Sequence, residues 1–248
     1  MTSSPDKKTA LITGAAGTLG LAVTKALLAK GMRVVMADRN QDRLNELSAS
    51  LQGETVPAAF NIGDPAEVRA AWAKIEAAVG SIDILVNNAG ILTNNKLEAT
   101  TLEEWRHVID VNVNGVFYLS QLVVPGMKRK KWGRIINTSS LAAKTGGITA
   151  GTAYSTSKGA IISFTFSLAA ELAAFGITVN GIAPAYVKTP MITEQLSEPQ
   201  RAAVMAKIPV GRFCEPEEFA HVVLFLIDDK AGFITGEIID QNGGLHFD

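Results

Sequence analysis

Short apolar segments recur along the chain, and each is followed by a longer amphipathic stretch. Most of them lack alternation of polar and apolar residues, which is typical of parallel strands covered by helices on both faces. We therefore predict an α/β fold with a doubly wound parallel sheet. The segments are TALIT (9–13), RVVMA (33–37), TVPAAF (55–60), IDILVN (82–87), RIINTS (134–139), ITVNGIA (177–183) and EIIDQ (237–241).

Capping residues and prolines indicate where helices begin and where one long insertion lies. Asp64 can cap a helix, Pro65 suits its first position and Glu67 its third, so a helix is predicted to begin there. Residues 186–212 form a proline-punctuated insertion before the last predicted helix. Because no linker or repeat divides the chain, we predict one domain, residues 1–248, with this insertion as a lid.

Composition and charge argue against several classes of function. The 23 basic and 24 acidic residues nearly balance, and the short basic run at residues 128–131 is predicted to end a helix rather than bind nucleic acid. A lone cysteine, Cys214, excludes an intrachain disulfide. The three histidines have no metal-ligand spacing, and no stretch approaches the ~18 apolar residues of a membrane span. We expect a cytoplasmic protein without a metal site or membrane partner.

The first apolar segment runs directly into a glycine-rich turn, GAAGTLG at residues 14–20, and then into a helical pattern. This order suits a pyrophosphate, because glycines let the backbone approach it and the helix start presents free N–H groups. The alternative is that the glycines only allow a tight turn and bind no phosphate. By itself it indicates, without establishing, a dinucleotide site of Rossmann type.

Asp38 supports the cofactor interpretation, since it closes the second segment 18 residues after Gly20. A carboxylate there can accept hydrogen bonds from the adenosine ribose and would repel a 2'-phosphate, which favours NAD over NADP. Arg39, the next residue, argues the other way, because a guanidinium suits a 2'-phosphate. Alternatively, Arg39 is a solvated surface charge.

Tyr154 and Lys158 lie four residues apart in a long helical pattern, so a phenol and an ammonium can face the same space. At ~4 Å and an effective dielectric of ~20 their attraction is about 4 kcal/mol, or about three pKa units. We expect the pKa of Tyr154 to fall from ~10 towards ~7, which suits a general acid/base. Tyr and Lys at this spacing also occur by chance.

Ser140 favours the catalytic interpretation of this pair. It lies at the carboxyl end of an apolar segment, where open α/β sheets bind ligands, and 14 residues before Tyr154. Its hydroxyl can hold a substrate oxygen without competing for the proton. The alternative is a serine that only caps the strand.

Together these motifs resemble a classical short-chain dehydrogenase/reductase over residues 9–244. The matching motifs are Thr13 to Gly20, NNAG (87–90), VNVNGVF (111–117), Ser140, Tyr154 with Lys158, Asn180 to Pro184, and ITGEIIDQNGG (234–244). The resemblance implies four catalytic residues: Asn112, Ser140, Tyr154 and Lys158. In that scheme Tyr154 exchanges the hydroxyl proton while hydride passes between the carbinol carbon and the nicotinamide. Ser140 orients the substrate oxygen, Lys158 lowers the Tyr154 pKa and binds the nicotinamide ribose, and Asn112 positions a proton-relaying water.

The same resemblance implies a cofactor site spread over several turns. Asn87 to Gly90 would lie beside the adenosine portion, with Val187 and Thr189 beside the carboxamide. For Asn87 a structural cap at the strand end is an equal alternative. The expected cofactor contacts are Gly14, Gly17, Thr18, Leu19, Gly20, Asp38, Arg39, Asn61, Ile62, Asn88, Ala89, Gly90, Tyr154, Lys158, Pro184, Val187 and Thr189.

Three positions depart from the family pattern. Thr18 stands where a glycine is usual, which puts the pyrophosphate contacts in doubt. Asn61 replaces the usual adenine-contacting aspartate and loses its charge. Ala185 replaces a glycine where the lid begins.

Substrate selection is expected from residues 92–97, 141–153 and 186–212. The middle segment is small and mostly uncharged, and apart from Lys144 it suggests no salt bridge to an anionic substrate. The expected substrate contacts are Ser140, Tyr154, Tyr186 and Met191, although Tyr186, Met191 and Ile192 can equally pack the lid. Relatives are commonly homotetramers, which implies that the helices bearing Asn112 and Tyr154 also pack between subunits.

Three hypotheses for function follow. The leading one is an NAD-dependent dehydrogenase of a secondary alcohol of the sugar, polyol or hydroxy acid type. The alternative is an NADPH-dependent ketoreductase such as a 3-oxoacyl-[acyl-carrier-protein] reductase. A remote third is a non-catalytic dinucleotide-binding module, which has little need for this catalytic group.

Overall fold

All seven predicted strands form, and they pair in one parallel sheet. A computed structural model describes residues 7–147, 149–189 and 197–247. The sheet order is β3-β2-β1-β4-β5-β6-β7, so the order reverses between β1 and β4, where doubly wound sheets bind ligands. The strands are β1 Thr9–Thr13, β2 Arg33–Asp38, β3 Thr55–Ala59, β4 Ile84–Asn87, β5 Gly133–Thr138, β6 Ile177–Pro184 and β7 Ile238–Gln241.

Helices cover both faces of this sheet, as the apolar strands predict. Successive residues of β1 point to opposite faces: Ile12 packs in one buried cluster with residues of the first and last helices, and Leu11 packs in the other. The described α-helices are α1 Thr18–Ala29, α2 Gln41–Ser50, α3 Pro65–Val79, α4 Leu102–Ile109, α5 Gly115–Lys130, α6 Leu141–Thr145, α7 Thr152–Leu172, α8 Glu198–Met205 and α9 Pro216–Ile227.

Two predicted helix boundaries are confirmed: the start of α3 and the end of α5. Asp64 caps α3 by accepting hydrogen bonds from the first-turn N–H groups, with Pro65 next. The Glu67 carboxylate accepts a hydrogen bond from the Asn61 N–H at 2.8 Å, which joins the helix start to the preceding loop. The basic run ends α5, where Lys131 takes the left-handed conformation (φ 51°).

Two helical stretches of the described chain are long and apolar enough, by length and composition alone, to cross a membrane: Leu102–Lys130 and Thr152–Phe175. The sequence was expected to contain no stretch that approaches a membrane span, and these two helices differ from that expectation. Each packs against the sheet, with Leu119 and Leu172 in the buried core. Each also buries a polar residue, Asn112 and Lys158 respectively. We interpret both as core helices of the α/β layer.

The predicted lid is tied to the body at its base. The Lys188 N–H donates to the Cys214 carbonyl at 2.8 Å, and the Cys214 N–H donates to the Tyr186 carbonyl at 3.0 Å. Between these ends the structure describes α8. Met191 and Ile192, two of the residues expected near the substrate, lie outside the described residues.

Candidate active site

The glycine turn leads from β1 into the start of α1. Gly14 has φ +65°, and a Cβ at Gly20 would lie 2.1 Å from the Gly14 carbonyl oxygen, so neither position accepts a side chain without strain. Gly17 is the N-cap and Thr18 the first helical residue, with no side-chain cap and no acidic residue in the first turn. The first N–H groups of α1 therefore suit a pyrophosphate, with Leu19 beside them.

Asp38 lies beside this turn, at the end of β2. Its carboxylate accepts hydrogen bonds from the Ala16 N–H at 3.1 Å and the Asn40 N–H at 3.3 Å. These bonds orient the carboxylate and leave lone pairs for two ribose hydroxyls. Arg39 is exposed. The acceptor oxygens of Asp38 suit the ribose hydroxyls of a dinucleotide.

Asn61 uses its side-chain oxygen within its own loop, where it accepts a hydrogen bond from the Gly63 N–H at 3.0 Å. Because this oxygen is already engaged, the side-chain N–H groups of Asn61 are better placed than its oxygen to hydrogen-bond an adenine. The neighbouring Ile62 is buried.

The Asn88-Ala89-Gly90 turn is fastened to β1 through Thr13. The Thr13 hydroxyl accepts hydrogen bonds from the N–H groups of Asn88 and Ala89, both at 3.0 Å. The Asn88 side chain in turn donates to the Thr13 carbonyl at 3.0 Å. The sequence motif contains Thr13, but its function as the anchor of the second turn becomes evident only in the structure.

Asn87 belongs to a buried polar network beneath this turn. Its amide donates to the Asn137 side-chain oxygen at 2.8 Å, and the Asn137 amide donates to the Thr165 hydroxyl at 2.9 Å. The network links β4 and β5 to α7. This agrees with the structural alternative for Asn87.

Ser140, Tyr154 and Lys158 are brought together at the carboxyl ends of β4 and β5. The Tyr154 and Ser140 side chains share a hydrogen bond. The Lys158 ammonium lies 5.8 Å from the Tyr154 ring centroid and donates to the Thr138 carbonyl at 2.7 Å. A Cβ at Gly90 would lie 3.3 Å from the Lys158 Nζ, so the Asn88-Ala89-Gly90 turn lies against the group of Ser140, Tyr154 and Lys158.

The pKa shifts differ from the expectation. Burial raises the pKa of Tyr154, and the hydrogen bond from Ser140 only opposes this effect. Burial lowers the pKa of Lys158 to about 8. The reason is that enclosure penalises both charged forms, while the ammonium binds the Thr138 carbonyl instead of the phenol. The Tyr154 phenol is therefore held in its protonated form.

Asn112 lies in a π-helical turn, Asp110–Asn114, between α4 and α5, which the sequence did not predict. Its amide donates to the Ile91 carbonyl at 3.0 Å and the Ser157 hydroxyl at 2.9 Å, and its oxygen accepts the Ile91 N–H at 2.9 Å. Both amide donors are thus used by the protein. A water held by Asn112 would therefore have to donate a hydrogen bond to an oxygen atom of Asn112.

Ser157 connects Asn112 to the helix that carries Tyr154. Its hydroxyl donates to the Tyr154 carbonyl at 2.7 Å while accepting from Asn112. Ser157 was not predicted from the sequence, because a hydroxyl one residue before Lys158 belongs to no motif. Its contact with Asn112 spans 45 positions.

The predicted loop at residues 141–153 contains a short helix, α6, because the Ser140 hydroxyl caps it by accepting the Ala142 N–H at 3.2 Å. Lys144 on this helix forms an ion pair with Asp240 of β7 at 2.6 Å. The side chains are only 14% and 22% exposed. Lys144 is therefore engaged within the protein rather than presented to an anionic substrate.

We expect this ion pair to hold α6, and with it Ser140, in place. Replacing Lys144 by methionine should lower kcat about fivefold with little change in KM, because Ser140 loses its fixed orientation towards Tyr154. Steady-state kinetics on the purified variant test this. An unchanged kcat would mean that the ion pair does not position Ser140.

The remaining expected residues lie around the same edge. Pro184 ends β6, Val187 is buried and forms a parallel bridge with Cys214, and Thr189 lies in the first part of the predicted lid. Tyr186 lines a cavity of about 190 Å³ at the lid base together with Ile208.

The fold and the site define a dinucleotide-dependent oxidoreductase that acts on CH–OH groups. The chain belongs to the short-chain dehydrogenase/reductase family: residues 14–246 match a family model described as enoyl-(acyl carrier protein) reductase.

Two sequence relatives are similar over nearly the full length. The 3-oxoacyl-[acyl-carrier-protein] reductase FabG of Escherichia coli (strain K12) is 40% identical over 96% of this chain and 97% of the relative. The FabG of Thermotoga maritima is 39% identical with the same coverage.

Two crystal structures are similar in fold, both of 3-oxoacyl-[acyl-carrier protein] reductases from Brucella melitensis. One has a TM-score of 0.91 at 35% identity and covers 97% of this chain and 92% of that chain. The other, with bound NAD, has a TM-score of 0.90 at 34% identity and covers 99% and 93%.

Proposed function

We propose that the chain reduces 3-oxoacyl thioesters of an acyl carrier protein to 3-hydroxyacyl thioesters, with NADH as hydride donor. The observation on which this rests is the half-buried Tyr154 side chain, which is hydrogen-bonded to Ser140 and whose pKa is raised by its enclosure. An acid in this state suits reduction of a ketone. The names of relatives about 40% identical support the substrate class. The sugar, polyol or hydroxy acid substrate expected from sequence is less well supported.

The four residues divide the chemistry between them. A reduced nicotinamide dinucleotide, which the glycine turn and Asp38 would hold, would supply the hydride for the carbonyl carbon. The Ser140 hydroxyl donates a hydrogen bond to the ketone oxygen, and Tyr154 gives that oxygen its proton as the alcohol forms. Lys158, partly protonated because its pKa is about 8, stabilises the resulting phenolate and can return a proton to it. Asn112 keeps α4 and α5 in register with these groups.

The proposed cofactor site is the edge formed by the glycine turn, Asp38 and the Asn88 to Gly90 turn. The uncapped start of α1 suits a pyrophosphate, and the oriented Asp38 carboxylate suits ribose hydroxyls. These features support NAD, and a relative about 34% identical carries NAD in its crystal structure. Tyr186 and Met191 stay proposals as substrate contacts in a lid over residues 186–212.

The Asp38 proposal predicts a change of cofactor selectivity. Asp38→Ser should reduce the ratio of kcat/KM for NADH to that for NADPH by about 100-fold, because a carboxylate facing a phosphate costs several kcal/mol. Parallel kinetics with both cofactors measure this ratio. Asp42→Ser on the exposed start of α2 is the matched control, and an equal change there would argue against Asp38.

A substrate panel tests the reaction itself. We expect rapid cofactor oxidation with acetoacetyl thioesters, and much slower turnover with a crotonyl thioester or with polyols and NAD. Faster turnover of the crotonyl thioester would instead identify an enoyl reductase, as the family model is described. Cofactor binding without turnover of any of these would favour a non-catalytic module.

The proposal includes assembly as a homotetramer. Phe117 on α5 and Phe166 on α7 are 45% and 50% exposed, and Phe117 packs edge-on against Phe164 of the adjacent helix. Such a patch is suited to burial against a second copy. A cytoplasmic location is also part of the proposal and agrees with a chain that has a single free cysteine.

This assembly predicts a mass in solution about four times the 26.3 kDa of the chain. Changing Phe117 and Phe166 to glutamate should convert the tetramer to smaller species, because two charges would be buried at the interface. Light scattering coupled to size-exclusion chromatography distinguishes these states. A monomeric wild type would contradict the prediction.

A further inference from the structure

Lys96 joins the two loops that lead away from the catalytic group. Its ammonium donates hydrogen bonds to the Gly147 carbonyl at 2.7 Å and to the Ala150 carbonyl at 2.6 Å. Such short charge-assisted bonds are stronger than those between neutral groups. One exposed side chain therefore holds two points of a loop about 50 positions away in sequence.

The backbones of the same loops are paired beside this contact. The Gly151 N–H donates to the Thr93 carbonyl at 2.7 Å, and the Thr152 N–H donates to the Asn95 carbonyl at 3.0 Å. A Cβ at Gly151 would lie 2.5 Å from the Asn95 oxygen, so only glycine allows this approach. The described parts of the two loops are therefore joined along one surface, which we call the paired-loop wall (residues 91–96, 146–147 and 149–151).

Both halves of this wall begin at catalytic elements. Residues 91–96 directly follow Gly90, where a Cβ would lie 3.3 Å from the Lys158 Nζ. Residues 146–151 connect α6, which Ser140 caps, to α7, which carries Tyr154. A Cβ at Gly147 would lie 2.1 Å from the Oγ of Ser155, the residue after Tyr154 on α7, so the wall lies beside the catalytic group. Leu92 is exposed on the wall, and apart from Lys96 its described side chains carry no charge, which suits an acyl chain better than a charged group.

We propose that Lys96 is a specificity-determining residue that fixes the paired-loop wall against the acyl chain of the substrate. The assignment of an acyl substrate rests on the proposed function, whereas the fastening of the wall does not. Without the ammonium, the Gly147 and Ala150 carbonyls lose this donor, and of the hydrogen bonds described between the two loops the two backbone bonds remain. The wall then opens more often, and the acyl chain is bound less tightly and less selectively.

Hydrogen exchange tests the fastening without any substrate. In Lys96→Met we expect the amides of Gly151 and Thr152 to exchange roughly tenfold faster than in the wild type, since bonds to a charged group are lost. Lys96→Arg should retain most of the protection, because a guanidinium can also donate to two carbonyls. Lys74→Met, on the exposed face of α3, is the matched control and should change nothing at these amides.

Kinetics test specificity with 3-oxoacyl N-acetylcysteamine thioesters of four and eight carbons. In Lys96→Met we expect KM for the eight-carbon substrate to rise roughly tenfold, with kcat within about twofold and a reduced preference between the two lengths. Unchanged exchange, or faster exchange with unchanged KM and chain-length preference, would overturn the proposal.

The two proposals fail in different ways. A wild type that turns over plain ketones but not the thioesters would refute the proposed function. The KM comparison would then use short and long ketones, and loss of discrimination in Lys96→Met alone would still support Lys96 as the specificity-determining residue. Equal discrimination in the wild type and this variant would refute it.

Discussion

Tyr154→Phe is expected to lower kcat by about 1,000-fold while the dissociation constant for NADH stays within about threefold. The reason is that the phenylalanine ring fills the same space but has no proton to give, and proton transfer by a positioned group is worth 10²- to 10⁴-fold. The ring of Tyr154 lies beside Lys158, so the packing around the cofactor ribose should survive the change.

Two measurements separate this effect from damage to the fold. NADH binding is followed by fluorescence titration, and turnover by cofactor oxidation. Tyr118→Phe on α5 is the matched control, since it removes a hydroxyl from a residue without a catalytic assignment and should leave kcat within about twofold. A Tyr154→Phe enzyme with more than about a tenth of the wild-type kcat would show that another group supplies the proton.

Lys158→Met should also be nearly inactive, with kcat lowered about 1,000-fold, but more stable than the wild type at pH 7. The buried ammonium is 4% exposed and has a pKa of about 8 against an ordinary value of 10.5. This difference corresponds to about 3 kcal/mol of cost for holding the charge in the folded protein. Loss of the hydrogen bond to Thr138 offsets about 1 kcal/mol of that gain.

The sign of the pH dependence follows from the lowered pKa. Between about pH 8 and 10.5 the unfolded chain binds more protons at Lys158 than the folded chain does, so wild-type stability rises with pH. The advantage of Lys158→Met should therefore be fully present at pH 7 and decrease above pH 8.

Chemical denaturation at pH 7 and at pH 9.5 tests this, with Lys74→Met as the control for loss of a surface charge. If Lys158→Met were less stable than the wild type at pH 7, the ammonium would be stabilising rather than costly. Contacts other than the hydrogen bond to the Thr138 carbonyl would then offset the cost of burying the Lys158 ammonium.

Much of this fold could be predicted from sequence because its signals are local. Strands buried on both faces, such as β1 and β4, are visible as short apolar runs. The edge strands β3 and β7 are only partly buried, and their positions were predicted from the same kind of short run. Asp64 and Pro65 mark a helix start for equally local reasons. Tyr154 and Lys158 share one helix, whose periodicity places them together without any knowledge of the tertiary fold.

The features that sequence did not predict depend on contacts between distant segments. Lys144 meets Asp240 across 96 positions, and Lys96 meets the loop before α7 across about 50. The direction of the Tyr154 pKa shift likewise depends on burial and on where the Lys158 ammonium points. A four-residue spacing gives proximity, but it does not show that the ammonium donates to the Thr138 carbonyl.

The most direct test of the account is the rate of cofactor oxidation by the wild-type enzyme with an acetoacetyl thioester of acyl carrier protein, measured with NADH and NADPH in parallel. The account predicts turnover with NADH and a kcat/KM at least about tenfold higher than with NADPH. A preference for NADPH would contradict the role of Asp38. Absence of turnover with both cofactors, in an enzyme that binds them, would contradict the proposed reaction.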